Sequence, residues 1–552
     1  MNIIKFIIQI SPRNFVLAAL AGIISGFSLA SLLALTNKAL HNTEMVNTTT
    51  MVAYFLLIVV VVVSKVSSTV LLTSLSQQSI AKLRMRLSQE ILSAPLINLE
   101  LIGSHKLLAS LSTDITSIGI GVMRLPSLFM NSALLLGCLG YLLWLSPLMF
   151  FASVCIIVVS IMIYKWPQSR AVSLLKQARE TDDELYKGFR AVCEGTKELK
   201  MHQSRRNDFF SGAFKQCIND YAHYRIKAAK YYSVAGSFSI IMLFVGIGSL
   251  IFIIPSLITI DAESLVGYVI VFLFMLGPID SIISFIPDVA KTSISFKKVQ
   301  SLGLSLNKET SNDRVGLMPN ENDRPRKLEY KKSLKMVDVV HSYYRELESS
   351  YFQLGPMNLE FKPGELIFLI GGNGSGKTTL AKILLGLYSP ESGRIELDGI
   401  PVDESNIEAY RQTFSAVFVD FFLFDELLGM GDTSLDEKSH DYLEKLQLSH
   451  KVTVKGGKLS TTQLSQGQRK RLTLMSAYLE NRQFCVFDEW AADQDPEFKN
   501  VFYRIILPEL RAQGKTVLII SHDEQYFDVA DRYIKMNSGK VIVEDSLDKV
   551  VV

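Results

Sequence analysis

The chain has 552 residues, a formal net charge of +3 and a mean hydropathy of +0.24. That length exceeds what one hydrophobic core supports, so at least two domains are expected, and the hydropathy is too high for an ordinary soluble protein. Scattered basic residues leave no footprint for nucleic acid, and Cys138, Cys155, Cys193, Cys217 and Cys485 lack metal-ligand spacing and read as free thiols.

Apolar residues concentrate in the first half of the chain. Six segments, 15–36, 52–73, 125–145, 147–164, 234–254 and 265–286, match the roughly 20 residues a helix needs to cross about 30 Å of hydrocarbon. The first has no small-residue cleavage site before its polar flank, so it reads as a retained span rather than a removable signal. Connections 37–51, around 146–147, and 255–264 carry only Lys38 as a firm positive charge, whereas 74–124 and 165–233 are rich in Lys and Arg. Both termini are therefore expected in the cytosol. The long connections read as helices that continue the spans.

One charge lies inside a span. Lys65, in VVVVVSKVSSTVLLT, has Ser64, Ser67, Ser68 and Thr69 beside it, and an unpaired charge at mid-bilayer costs about 3 kcal/mol or more. Two readings stay open. Lys65 snorkels or pairs with an acid such as Asp280 in the sixth span, or it faces a central cavity and favours a cargo bearing an acidic group.

Residues 306–327, LNKETSNDRVGLMPNENDRPRK, are polar and interrupted by prolines, which marks a linker. The expected domains are 1–305 in the membrane and 328–552 as a nucleotide-binding unit. In the latter, GGNGSGKT at 371–378 fits G-x-x-x-x-G-K-[ST], directly after the apolar strand LIFLI and before the helical run TLAKILLGLY. Glycines let backbone N–H groups wrap a phosphate, Lys377 reaches the β and γ oxygens and the Thr378 hydroxyl suits Mg²⁺. The phosphate-binding set is Gly371, Asn373, Gly374, Ser375, Gly376, Lys377, Thr378 and Thr379. Further on, FCVFDE ends a buried strand on two adjacent acids. With a phosphate loop upstream, Asp488 is placed to hold Mg²⁺ through water and Glu489 to polarise the water attacking the γ-phosphate of ATP.

In this order, spans then phosphate loop then paired acids, the chain resembles the ATP-binding cassette exporters over nearly its whole length. The expected fold is an all-α six-helix transmembrane domain with long cytoplasmic helical extensions, fused to an α/β P-loop nucleotide-binding domain. The stretch LSQGQ, 464–468, resembles the cassette signature. The resemblance implies that Ser465 and Gly467, with Gln468, contact the γ-phosphate held by a second cassette in a head-to-tail dimer. One chain carries one cassette, so a second copy of the same chain is the implied partner. His522 in VLIISHD matches the family's switch histidine, which senses the γ-phosphate. VDVVHSYY matches the region whose aromatic residue stacks on adenine, nominating Tyr343, then Tyr344, with plain strand packing as the other reading. The short stretches 95–103 and 194–200, midway along the cytoplasmic connections, are the expected points of contact that pass cassette movement to the spans.

Two departures from the family pattern stand out. Val419 occupies the usual glutamine position in AVFVDFFLF, and Asp420 after it either supplies the missing contact to Mg²⁺ or water or is a solvated loop acid. The common Asp-Glu-Pro-Thr-Ser-Ala-Leu-Asp run reads DEWAADQD, with Asp495 still at the position that communicates between cassettes. DEWAADQDP, FYRIILPEL and ISHDEQYFDVADR look like the bacterial exporters of cyclic peptides and siderophore peptides, including the pyoverdine and lasso-peptide types. The resemblance implies ATP-driven export of a small peptide or siderophore across the bacterial inner membrane. A lipid or drug flippase, or a membrane-bound regulatory ATPase without cargo, would share every cassette residue.

Overall fold

The computed structural model describes residues 11–41, 47–253, 262–306, 328–345, 350–430 and 435–546. The chain divides into two units, one from Met1–Glu90 with Ser104–Ser305, the other from Ile91–Gly103 with Leu306–Val552. The expected linker lies outside the described residues apart from Leu306.

The first unit is helical. Among the described residues five helices are long and apolar enough to cross a membrane. The expected span at 234–254 belongs to the helix Ala213–Gly248 and the π-turn Ser249–Ile253, and its last residue lies outside the described set. Helices Thr48–Ser93 and Pro147–Glu194 have 46 and 48 residues, about 70 Å each at a rise of about 1.5 Å per residue, more than twice the hydrocarbon thickness. The expected continuation of spans into stalks is therefore present. Val52, Phe55, Leu56, Val59, Val62, Val63 and Val66 stand 54–60% exposed along one of them. An apolar face of that extent is unfavourable in water and suits lipid.

Small and polar residues set the contacts between these helices. A Cβ on Gly26 would lie 2.4 Å from the Met130 carbonyl oxygen, so glycine is what lets Pro12–His41 and Leu125–Leu145 approach. The Asn131 amide donates to Ser281 Oγ at 2.8 Å, and the Tyr268 hydroxyl lies 2.6 Å and 2.7 Å from the Leu142 and Ser146 carbonyls. Such bonds contribute about 0.6–2 kcal/mol each in a membrane.

The second unit contains a six-stranded sheet in the order Lys540–Ser546, Arg532–Asn537, Leu366–Gly371, Thr516–Ile520, Phe484–Asp488, Phe414–Val417. All pairs are parallel except the outermost Lys540–Ser546. A four-stranded antiparallel sheet runs Ser350–Phe361, Leu334–Arg345, Ser392–Leu397, Ile400–Pro401. Side chains alternate across the parallel sheet, so Leu366, Phe368, Cys485, Phe487, Val517 and Ile519 enter one core. Their neighbours Ile367, Leu369, Phe484, Val486, Leu518 and Ile520 enter the other. Burial on both faces is why these strands are continuous apolar runs. Their carboxyl ends converge, which is where open α/β sheets bind ligands.

Leu96 and Ile97, on the short helix Leu96–Ile102, pack against the second of these cores. Glu100 accepts hydrogen bonds from Lys382 Nζ at 2.7 Å and from the Tyr388 hydroxyl. The expected contact stretch 95–103 thus belongs to the C-terminal unit. The other, around the helix Thr196–Met201, has no buried residue.

Candidate active site

The strand Leu366–Gly371 ends in a loop that turns into the helix Lys377–Leu384. Gly374 and Gly376 have φ of +75° and +101°, a region where a side chain is strained. Lys377 is buried, and its ammonium donates to the Gly371 and Gly372 carbonyls at 2.7 Å and 3.1 Å and lies 3.4 Å from His522 Nε2. Burial lowers its pKa, against the opposing charges of Glu489 and Asp488. Asn373 and Gly374 are exposed on the loop and Thr379 is half-buried below it. Ser375 is buried, with a hydroxyl that has no hydrogen-bond partner among the described residues.

The strand Phe484–Asp488 brings the paired acids to the same edge. The Thr378 hydroxyl donates to Asp488 Oδ2 at 2.9 Å, while Asp488 Oδ1 is buried without a hydrogen-bond partner among the described residues. Burial raises the pKa of Asp488, helped by the charges of Glu489 and Asp420 and opposed by the Thr378 bond and Lys377. An unsatisfied carboxylate oxygen beside a threonine hydroxyl fits a small hard cation whose other ligands are phosphate oxygens and water. Glu489 has a left-handed backbone, φ +47°, its amide donates to the Ile520 carbonyl at 3.0 Å, and its Oε1 lies 3.6 Å from His522 Nε2. Asp420 sits in an exposed turn after Phe414–Val417, near enough for its charge to act on Asp488.

A pH-dependent stability effect follows from the raised pKa of Asp488. Its neutral form is favoured by the fold, so the contribution is present below the unfolded pKa of about 3.9 and is lost as pH rises through the folded value. Asp488→Asn keeps an acceptor for Thr378. It is expected to raise the Tm of nucleotide-free protein at neutral pH, by an amount that shrinks toward about pH 4. Thermal unfolding across that range checks this, and an unchanged or lower Tm at neutral pH contradicts it.

Ser465 caps the helix Gln466–Glu480 through a capping box: its hydroxyl accepts from the Gln468 amide at 3.4 Å, and Gln468 Oε1 accepts from the Ser465 amide at 3.3 Å. A Cβ on Gly467 would lie 2.8 Å from the Asp493 carbonyl oxygen, so glycine is required for this approach. Asp495 caps the helix Pro496–Val501, accepting from the Phe498 amide at 2.8 Å and from Arg471 at 2.5 Å. Those two partners, the Phe498 amide first, hold its carboxyl below the usual range. The phosphate loop, Asp488, Glu489 and His522 are therefore one cluster. Ser465, Gly467, Gln468 and Asp495 lie on a neighbouring surface of the same unit, joined to it through 489–495. The motif roles assign nothing to Trp490, Lys470 and Asp493, which connect the two; the signals in the sequence were the departure DEWAADQD and the basic run RKR directly after LSQGQ.

Other expected residues stand apart. Tyr343 pairs through its backbone with Phe352, while its side chain and that of Tyr344 lie outside the described residues. Lys65 is exposed on Thr48–Ser93 and forms no ion pair with Asp280 among the described residues, which removes that pairing within one chain. Of its polar neighbours, only Ser68 is buried, donating to the Ala18 carbonyl at 2.8 Å; Ser64 donates to the Val60 carbonyl at 2.5 Å and the exposed Thr69 to the Lys65 carbonyl at 2.9 Å, while Ser67 is exposed. Asp280 is exposed on Ala262–Leu306, beside Tyr164.

A family profile described as ABC transporter matches residues 354–492. The chain is 33% identical to the ATP-binding protein SyrD of Pseudomonas syringae pv. syringae over 534 residues, covering 95% of this chain and 93% of the relative. It is 22% identical over 493 residues to an ATP-dependent lipid A-core flippase of Thiobacillus denitrificans, covering 86% and 82%. In fold it is similar to a bacterial Atm1-family ABC exporter with ATP bound, with a TM-score of 0.73, 16% identity, and coverage of 98% of this chain and 95% of that one. A helical membrane domain fused to a phosphate-loop ATPase, matched along nearly all its length, makes this chain a member of the ATP-binding cassette exporter family.

Proposed function

We propose that the chain exports a small peptide, or a siderophore built on one, across the bacterial inner membrane as a homodimer with two shared ATP sites. The observation that carries the ATPase part is the meeting of Thr378, Asp488, Glu489, His522 and Lys377 at one sheet edge. Lys377 neutralises β and γ oxygens, and Glu489 accepts the proton of the attacking water while His522 orients the γ-phosphate. Thr378 and Asp488, with Asp420 nearby, would hold Mg²⁺, which supplies charge stabilisation at the phosphates. Tyr343 is the proposed adenine platform.

Ser465, Gly467 and Gln468 serve the nucleotide on the partner cassette, and Asp495 lies at the seam. Binding of ATP between two cassettes favours the closed pair and hydrolysis releases it, so the spans alternate between two openings. Helix Leu96–Ile102, held by Glu100 on Lys382 and Tyr388, is the natural lever. Residues 1–305 form the membrane domain, 306–327 the linker and 328–552 the cassette, with both termini cytoplasmic and lipid around the spans.

Peptide cargo rests on the runs DEWAADQDP, FYRIILPEL and ISHDEQYFDVADR. Lipid cargo is the second reading, favoured by the relative named a lipid A-core flippase. Purified protein in lipid vesicles, assayed for hydrolysis against small peptides, siderophores and lipids, separates them: peptides or siderophores stimulate under the first, lipids alone under the second. Lys65 carries a further expectation. With an acidic peptide as cargo, Lys65→Met lowers both stimulation and export several-fold, a loss of about 1 kcal/mol of cargo binding. Parental stimulation in that variant contradicts a cargo contact.

A further inference from the structure

The helix Gln466–Glu480 and the segment 489–495 are joined by contacts that none of the motif roles uses. Lys470 has a side chain only 1% exposed, yet its ammonium lies 2.7 Å from Asp493 Oδ2 and donates to the Glu489 carbonyl at 3.3 Å. Its own carbonyl accepts from Trp490 Nε1 at 2.9 Å. Trp490 is fully buried, its ring 4.3 Å from that of Phe502. Gln466 Nε2 donates to Asp493 Oδ2 at 3.0 Å, and Gln494 Nε2 donates to the Gly467 carbonyl at 3.0 Å. Two of the residues by which DEWAADQD departs from the common family run, Trp490 and Asp493, are thus both partners of Lys470.

A buried ammonium is costly unless its donors are used, and removing one partner of such a pair is felt strongly. Here the donors are spent on the peptide of Glu489, at a place where the backbone is left-handed and needs support. The backbone of Glu489 is held on both sides of its Cα. Its amide is bonded to Ile520, at the end of the strand leading to His522, and its carbonyl to Lys470.

We infer that Lys470, through its contacts with Asp493 and the Glu489 carbonyl, is a positioning residue that fixes the Glu489 carboxylate relative to the helix capped by Ser465. The inference rests on the reading in which Glu489 acts on nucleotide at its own phosphate loop and Ser465 on nucleotide at the partner's. In that arrangement Lys470 joins parts of two ATP sites within one chain. Misplacing a catalytic group by about 1 Å lowers turnover up to about 100-fold without removing a binding contact.

The test uses full-length protein in lipid with five variants: Lys470→Met, Asp493→Asn, the two together, Glu489→Gln as reference, and Lys470→Met combined with Glu489→Gln. Methionine keeps the length of the lysine stem, and Asp493, 39% exposed, can turn to water. Expected for Lys470→Met is a kcat lower by about 10- to 100-fold, a KM for ATP within about threefold of the parent, and ATP still occluded in a Lys470→Met/Glu489→Gln chain. Asp493→Asn is expected to show a smaller loss of the same kind, and the Lys470→Met/Asp493→Asn chain to fall no further than Lys470→Met, because the two residues act as a unit. If Lys470→Met does not fold, the Asp493→Asn kcat decides. A parental kcat per folded protein in either single variant, or a loss that appears in KM rather than kcat, overturns the inference. Near-parental hydrolysis by Glu489→Gln instead overturns the underlying reading of Glu489, so the two failures are distinguishable.

Discussion

Glu489→Gln abolishes steady-state hydrolysis while ATP still binds. The amide fills the same space at the end of Phe484–Asp488 and keeps the backbone bond to Ile520, but it cannot take a proton from water. Loss of a general base lowers turnover by about 10²–10⁴, and neither neighbouring acid replaces it. Asp488 is engaged with Thr378, and Asp420 stands in an exposed turn. Phosphate release and nucleotide occlusion, measured on the same preparation, check both halves. Turnover within a few-fold of the parent contradicts the role given to Glu489.

Two inactive chains should restore each other's nucleotide sites when mixed. In a heterodimer of Lys377→Ala and Ser465→Ala chains, head-to-tail sharing puts both lesions in one site and leaves the other intact. Made in a Glu489→Gln background, so that occlusion is read without turnover, this heterodimer should trap one ATP while each parent homodimer traps none. Removing Lys377 eliminates the only ammonium that reaches the Gly371 and Gly372 carbonyls of the loop among the described residues, so the effect on each homodimer is large. A purified heterodimer that traps no ATP contradicts shared sites.

The parts legible in the sequence are those set by local chemistry. LIFLI is apolar at every position because Leu366 and Phe368 enter one core and Ile367 and Leu369 the other. The phosphate loop is legible because its glycines, lysine and threonine act within eight consecutive residues. What stayed hidden depends on distant partners. A lysine after the signature reads as a solvated charge, and only the fold shows Lys470 buried against Asp493 and the Glu489 carbonyl, 19 residues on. The seat of Glu100 on Lys382 spans 282 residues of chain, and position alone suggested that stretch. Around Lys65 the hydroxyls suggested a polar face, whereas Ser64 and Thr69 bond back to carbonyls of their own helix and Ser68 crosses to Ala18. Hydroxyls satisfied in that way tolerate hydrocarbon, which leaves Lys65 and the exposed Ser67 to carry the polar character of that stretch.

On the proposed reading, ATP hydrolysis by this cassette moves a small peptide or siderophore across a membrane. The most direct test of that reading is uptake of labelled peptides, siderophores and lipids into inside-out vesicles holding the parent chain or Glu489→Gln. ATP-dependent accumulation of a peptide or siderophore is expected in parent vesicles, absent with Glu489→Gln and absent without Mg²⁺. Accumulation that persists with Glu489→Gln, or movement of lipids alone, would contradict it.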